Sequence, residues 1–179
     1  YVSEDLDNVP HHVSEFHRHH DRTAFTNTYI KKISYGNVTP FFVADAAAGW
    51  RPDLPDTDWL FETVWDYGEH EGSSYEPVTG WPCRKDPFSI YRSGFEIRTY
   101  RRCRHILQFH YFPKKENEGM EAPELVRRLS LEYEGDTAAE AFLAVDYIVK
   151  AIMTGFQKDG DGQLQSRSLP PVTMEYHPL

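Results

Sequence analysis

The chain has 179 residues, enough for one domain or for a piece of a larger one. A hydrophobic fraction of 40% with 15% aromatics excludes a disordered chain, and a net charge of −9 excludes a general nucleic-acid binder, which presents a basic face. Cys83 and Cys103 are too few for a disulfide framework or a zinc site and read as free thiols. No apolar run approaches the roughly 20 residues of a membrane helix, so direct membrane insertion is not expected.

Residues 1–27 read as a polar loop or loosely held arm, with Pro10 and five histidines: His11, His12, His17, His19 and His20. The opening YVSEDLDNVP is acidic and has no signal-peptide apolar core. Its first two residues resemble the end of a strand, which suggests an excerpt of a longer polypeptide. Residues 28–179 read as a β-rich segment. Thr28 to Tyr35 alternates with period two, and Gly36-Asn37 follows as a turn. Residues 44–58, with Gly49, Pro52 and Pro55, form a loop.

Trp59 to Tyr67 is the next strand. Trp59, Phe61, Trp65 and Tyr67 share one phase, and Leu60, Glu62, Val64 and Asp66 the other; the aromatic phase is expected inside. Phe95 to Phe112 keeps the same period over 18 residues. Fully extended it would reach about 60 Å, so a bend or bulge near Arg101 to Arg104 is predicted. Its central arginines, Arg98, Arg101, Arg102 and Arg104, are expected to pair with Glu62, Asp66, Glu96 or Glu132 on neighbouring strands. Leu125 to Tyr133 alternates again, with Leu129 and Leu131 inside. Residues 136–152 fit either period; a short helix over 137–145 followed by a strand to about Gln157 is favoured. Asp159-Gly160-Asp161-Gly162 signals a hairpin, and Val172, Met174 and Tyr176 form a last strand face. The fold class predicted is mainly β: five to seven strands in antiparallel sheets, with at most one or two short helices. Trp59, Phe61, Trp65, Phe95, Ile97, Leu129 and Leu131 are expected in the core.

Reactive patterns are scarce. The arm histidines lack the fixed constellation a metal requires. Lys158 to Gln163 begins like a calcium loop but lacks its later ligands, so a tight turn is preferred. Glu132-Tyr133-Glu134 has the E-x-E spacing of ADP-ribosylating toxins, yet no Ser-Thr-Ser strand accompanies it. Both glutamates fall on the polar side of an ordinary strand. Trp50, Trp59, Trp65 and Trp81 could stack a sugar, but two of them share a strand face, which favours a core. No P-loop, G-x-S-x-G, H-E-x-x-H or dinucleotide fingerprint is present. No catalytic, cofactor-binding or metal residue is assigned, and no cofactor is expected.

Five blocks carry a family signal when taken in order: TYIKKISYGN (28–37), WLFETVWDYGEH (59–70), the 81–113 segment, LVRRLSLEYE (125–134) and SRSLPPVTMEY (166–176). Together they resemble the N-terminal region shared by the Salmonella virulence plasmid protein B and the B components of insecticidal Tc toxin complexes. Met153-Thr154-Gly155-Phe156 departs from the Gln-Thr-Gly-Tyr-like run of that family, and residues 135–147 look idiosyncratic. The resemblance implies a non-enzymatic segment of a β-rich shell, secreted as part of a toxin complex, that helps to enclose and deliver a toxic polypeptide. Its partners would be the rest of its own polypeptide and the C-like and A-like components of such a complex. An isolated segment would be prone to self-association through an exposed edge, for which the Phe95 to Phe112 strand is the candidate. The alternatives from the residues themselves are an ADP-ribosyltransferase fragment using Glu132 and Glu134, and a carbohydrate-binding β module.

Overall fold

The computed structural model describes residues 1–20, 27–39, 58–114, 121–137 and 146–177. In chain order, β1 (Val2–Ser3), a 3₁₀ turn (Val13–Glu15) and α1 (Phe16–His20) precede β2 (Thr28–Tyr29), β3 (Lys32–Asn37) and β4 (Trp59–Asp66). Then follow β5 (Phe88–Ile90), β6 (Ile97–Thr99), β7 (His105–His110), β8 (Glu124–Tyr133), α2 (Glu134–Thr137), β9 (Ile148–Lys158), β10 (Leu164–Ser168) and β11 (Val172–Thr173). The architecture is mainly β and antiparallel. The main sheet runs β10-β9-β8-β7-β4-β3, with β11 also pairing β9; β1-β2 and β5-β6 form two small ribbons.

Strand alternation places the elements well. β4, β8 and β9 lie where period-two patterning puts them, and Gly162, with φ +78°, closes the β9–β10 hairpin. The predicted helix over 137–145 lies, apart from Thr137, outside the described residues; α2 ends at Thr137. The 28–35 strand is divided. Thr28–Tyr29 pairs with β1, whereas Lys32 onward pairs with β4, where Gly36 has φ +69°. A Cβ at Gly36 would stand 2.7 Å from the Phe61 ring, so the position admits only glycine without displacement.

The long 95–112 segment bends where expected. Its first part, β6, belongs to the small ribbon, and its second, β7, sits between β4 and β8. β7 is therefore not a sheet edge. The edge expected of the Phe95 to Phe112 strand is corrected accordingly, and within its bend Arg101 and Arg102 are buried and ion-paired. Their partners also differ from the cross-strand carboxylates expected. Arg101 meets Glu4, Arg98 meets Glu15, and Arg102 and Arg104 meet Asp136.

The core expectation needs a second correction. None of the seven residues named for the core is fully buried, and Phe95 is 58% exposed at the tip of the small ribbon. The better-buried phase of β4 is the other one, with Glu62, Val64 and Asp66, which register with Phe109, Leu107 and His105 on β7. Val64, Leu107, Phe109 and Leu125 form one core cluster, against which Tyr75 and Phe156 pack. A second cluster joins Tyr29, Tyr67 and Trp81, with Trp65 and Cys103 against it. A third joins Leu6, Val9 and Tyr100. The apolar phase that looks interior in sequence forms the opposite sheet face. There, Trp65, Ile106, Leu129 and Met153 make one continuous cross-strand row over β4, β7, β8 and β9, and every member is only half-buried.

Candidate functional site

Charge is organised on the well-buried side. Glu62 would cost several kcal/mol as an unpaired buried carboxylate. It is instead saturated: Tyr75 Oη donates at 2.6 Å, Tyr111 Oη at 2.8 Å and Ser34 Oγ at 2.8 Å, with the Lys32 ammonium at 3.1 Å. Burial pushes its pKa up, but these hydrogen bonds outweigh burial and leave it below the usual carboxylate value.

A second system ties the N-terminal arm to the β6–β7 bend. The Arg101 and Glu4 side chains are both fully buried. Arg101 Nε donates to Glu4 Oε2 at 3.0 Å, Nη1 to the Trp81 carbonyl at 2.8 Å and Nη2 to the Asp7 carbonyl at 2.8 Å, with the guanidinium stacked 4.5 Å from the Trp81 ring. Further along, Glu15 pairs with Arg98, accepts from Arg18 at 2.9 Å and accepts from Tyr100 Oη at 2.5 Å; Arg18 also pairs with Glu96. The polar arm, residues 1–20, is thus held through buried charge.

The third cluster lies just beyond β4. Asp66, only 1% exposed, turns Oδ1 toward three backbone N–H groups, those of Gly68 (2.7 Å), Glu69 (3.0 Å) and His70 (3.2 Å). Its Oδ2 has no hydrogen-bond partner among the described residues and lies 4.0 Å from His105 Nε2. Glu69 Oε2 accepts from the Tyr67 N–H at 2.7 Å, and Lys31 pairs with Oε1. Burial lowers the pKa of both Lys31 and His105, against the pull of Asp66. Asp66, Glu69 and His70 offer ligand atoms that all lie within 4.8 Å of one another. No fingerprint singles out this trio, but the D-x-x-E-H spacing of residues 66–70 was the available signal.

The residues considered from sequence are dispersed. Glu132 has both oxygens bridged by Lys150 at 3.1 Å, and Glu134 leaves the strand to open α2, so the two do not share one strand face. Tyr133 between them is buried, under the Arg102 guanidinium at 4.3 Å. Trp81 is buried and donates Nε1–H to Asp5, Trp65 packs on the aromatic cluster, Trp59 is half-buried at the start of β4, and Trp50 lies outside the described residues. In the arm, His11 stacks on His19 at 3.9 Å and His12 Nδ1 contacts Ser14 Oγ at 3.0 Å. Cys83 and Cys103 are free, and burial pushes the Cys103 thiol up to about 11, which keeps it protonated and unreactive at neutral pH. Asp159 caps its own turn, accepting from the Asp161 and Gln163 N–H groups.

These features define an antiparallel β wall with an internal charge network and one apolar face left half-open. The chain belongs to the SpvB family, described as the Salmonella virulence plasmid 65kDa B protein, which matches residues 1–112. It is 43% identical over 139 residues to proteins called mono(ADP-ribosyl)transferase SpvB from Salmonella typhimurium and Salmonella choleraesuis, covering 75% of this chain and 22% of each relative. It therefore spans about a fifth of the length of these relatives. Among solved structures, the N-terminal domain of effector protein SpvB from Salmonella typhimurium matches with a TM-score of 0.57 and 34% identity over 99% of this chain and 46% of that one. A crystal structure of TcdB2-TccC3-Cdc42 matches with a TM-score of 0.68 and 31% identity, over 98% of this chain and 8% of that one. This kinship supports a structural, shell-like role in general.

Proposed function

We propose that the chain is a non-enzymatic wall segment of a virulence or toxin polypeptide, helping to build a shell that encloses and delivers a toxic polypeptide. The observation that carries this reading is the inverted burial of the main sheet. On one side Glu62 is sequestered and satisfied beside Val64 and Leu107. On the other, the Trp65–Ile106–Leu129–Met153 row is left only partly buried. A free-standing domain would place that row in its core, because burying apolar area is the main favourable term in folding. A wall segment leaves it for its neighbours. In this reading residues 1–27 strap the 28–179 β-rich segment. The covering partner is the remainder of the same polypeptide, with C-like and A-like components further out, in an extracellular complex.

The test is site-specific labelling. In a background with Cys83 and Cys103 replaced by Ser, Leu129→Cys and Met153→Cys should react with a maleimide in the isolated chain. Both should be protected when the chain is embedded in its longer polypeptide. Equal labelling in the two contexts would overturn the wall reading.

A further inference from the structure

We propose that Asp66, Glu69 and His70 form a binding site for a first-row divalent cation, Zn²⁺ by preference. Mixed carboxylate and imidazole donors suit zinc, at about 2.0–2.2 Å per bond. The three candidate ligand atoms lie within 4.8 Å of one another, which lets one ion touch all three after small side-chain shifts.

Two further observations point to a ligand. First, Asp66 is 1% exposed and its Oδ2 has no hydrogen-bond partner among the described residues. A buried carboxylate oxygen without a partner is costly, and a cation removes that cost. Second, each side chain is fixed in place by a hydrogen bond from or to one of its atoms, as metal ligands are. Asp66 Oδ1 is held by three backbone N–H groups, and Glu69 Oε2 by the Tyr67 N–H. His70 Nδ1 lies 3.3 Å from the Ser74 carbonyl. A carbonyl only accepts, so Nδ1 carries the hydrogen and Nε2 keeps its lone pair for a metal. His105 Nε2, 4.0 Å from Asp66 Oδ2, is a further donor beside the site. A cleft of about 490 Å³, lined by Glu69, His70, Lys31, Tyr75 and Trp81 among others, opens beside two of the three residues.

Lys31 competes. Its ammonium pairs with Glu69 Oε1 and partly balances Asp66, so metal binding requires that it swing away. This makes the site testable beyond simple uptake.

The experiment is a titration of the purified chain with ZnCl₂, followed by calorimetry and by metal analysis after dialysis. His11, His12, His17, His19 and His20 are first replaced by Asn to remove adventitious binding by the arm. One zinc per chain is expected. Asp66→Asn, which keeps an oxygen for the backbone N–H groups, and His70→Gln should each weaken binding about 10- to 100-fold. Lys31→Met should strengthen it. Circular dichroism checks that each variant is folded, and if Asp66→Asn unfolds, His70→Gln decides. Failure of the arm-replaced chain to take up zinc overturns the proposal. So does binding that is unchanged in the folded ligand variants. Zinc uptake and the maleimide test read different surfaces, so either can fail alone.

Discussion

Arg101→Met probes the strap that joins the arm to the body of the fold. The substitution keeps an apolar stem of similar length over the Trp81 ring and removes only the guanidinium. What is lost follows from the geometry: hydrogen bonds to Glu4, to the Trp81 carbonyl and to the Asp7 carbonyl, with Asp5 at 3.3 Å. The larger effect lies in what remains. Glu4 is fully buried and would lose its counter-ion, keeping the Leu6 N–H as a hydrogen-bond donor. Breaking one side of a buried pair costs roughly 3–5 kcal/mol, far above the 0–1 kcal/mol of an exposed pair. Urea denaturation should show a loss in that range with an unchanged slope. Adding Glu4→Gln should recover part of it, because the orphan charge is gone. Trypsin should then cut at Arg18 in the single variant far sooner than in the parent. A loss below about 1 kcal/mol would mean that the arm is a dispensable surface strand and that the buried geometry carries little energy.

Phe109, at 0% exposure, should cost about 3–5 kcal/mol when changed to Ala, whereas half-buried Trp65→Ala should cost less; equal losses in thermal melts would refute the burial pattern described above. Glu62 has a folded pKa below its usual 4.5, so its stabilisation is full above about 4.5 and is lost as pH falls through the folded value. Glu62→Gln should therefore lower stability at pH 7 and flatten the acid limb of a pH–stability curve measured from pH 6 to 2; an unchanged limb would show that Glu62 is not among the groups that titrate on unfolding. Incubated with NAD, the purified chain should release no nicotinamide above a buffer blank, since Glu132 is bridged by Lys150 and Glu134 opens α2; release abolished by Glu134→Gln would restore the transferase alternative.

Period-two patterning located β4, β8 and β9, and turn chemistry the Asp159 turn, because alternation and turn residues are written in each segment itself. It could not say which face of β4 turns inward. Trp59, Phe61 and Trp65 are the apolar choice, and Glu62 and Asp66 look like solvent residues. The burial of Glu62 depends on Tyr75, Tyr111, Ser34 and Lys32, which arrive from other elements, and that of Asp66 on the N–H groups of Gly68, Glu69 and His70. The Arg101–Glu4 pair spans 97 positions, beyond the reach of any local pattern. Cross-strand pairing was a reasonable default for the arginines, but the bend at residues 100–104 takes Arg101 and Arg102 out of the ladder and turns them toward the arm and α2. Asp66, Glu69 and His70 were visible as a spacing, but only the turn closed by Asp66 Oδ1 shows that they converge.

Removing β7 from the edge moves the question of self-association elsewhere. Among the described residues the main sheet ends at β3 on one side and at β10 on the other. β10 is exposed throughout and carries one apolar residue, Leu164, in a run of Gln, Ser and Arg. β3 is the more adhesive end: Ile33 and Tyr35 stand 45% and 39% exposed, and Val38 just beyond it 48%. Lys32 at its start and the positive-φ Gly36 are the features that oppose flat pairing, by charge and by local twist. The isolated chain is therefore expected to associate through β3. Ile33→Lys should reduce concentration-dependent light scattering, because it adds charge to the strand while leaving the β3–β4 ladder intact. Leu164→Lys should change it little. A chain that stays monomeric at high concentration, with or without Ile33→Lys, would mean that β3 is already protected, and would remove the edge from the argument that this wall needs neighbours.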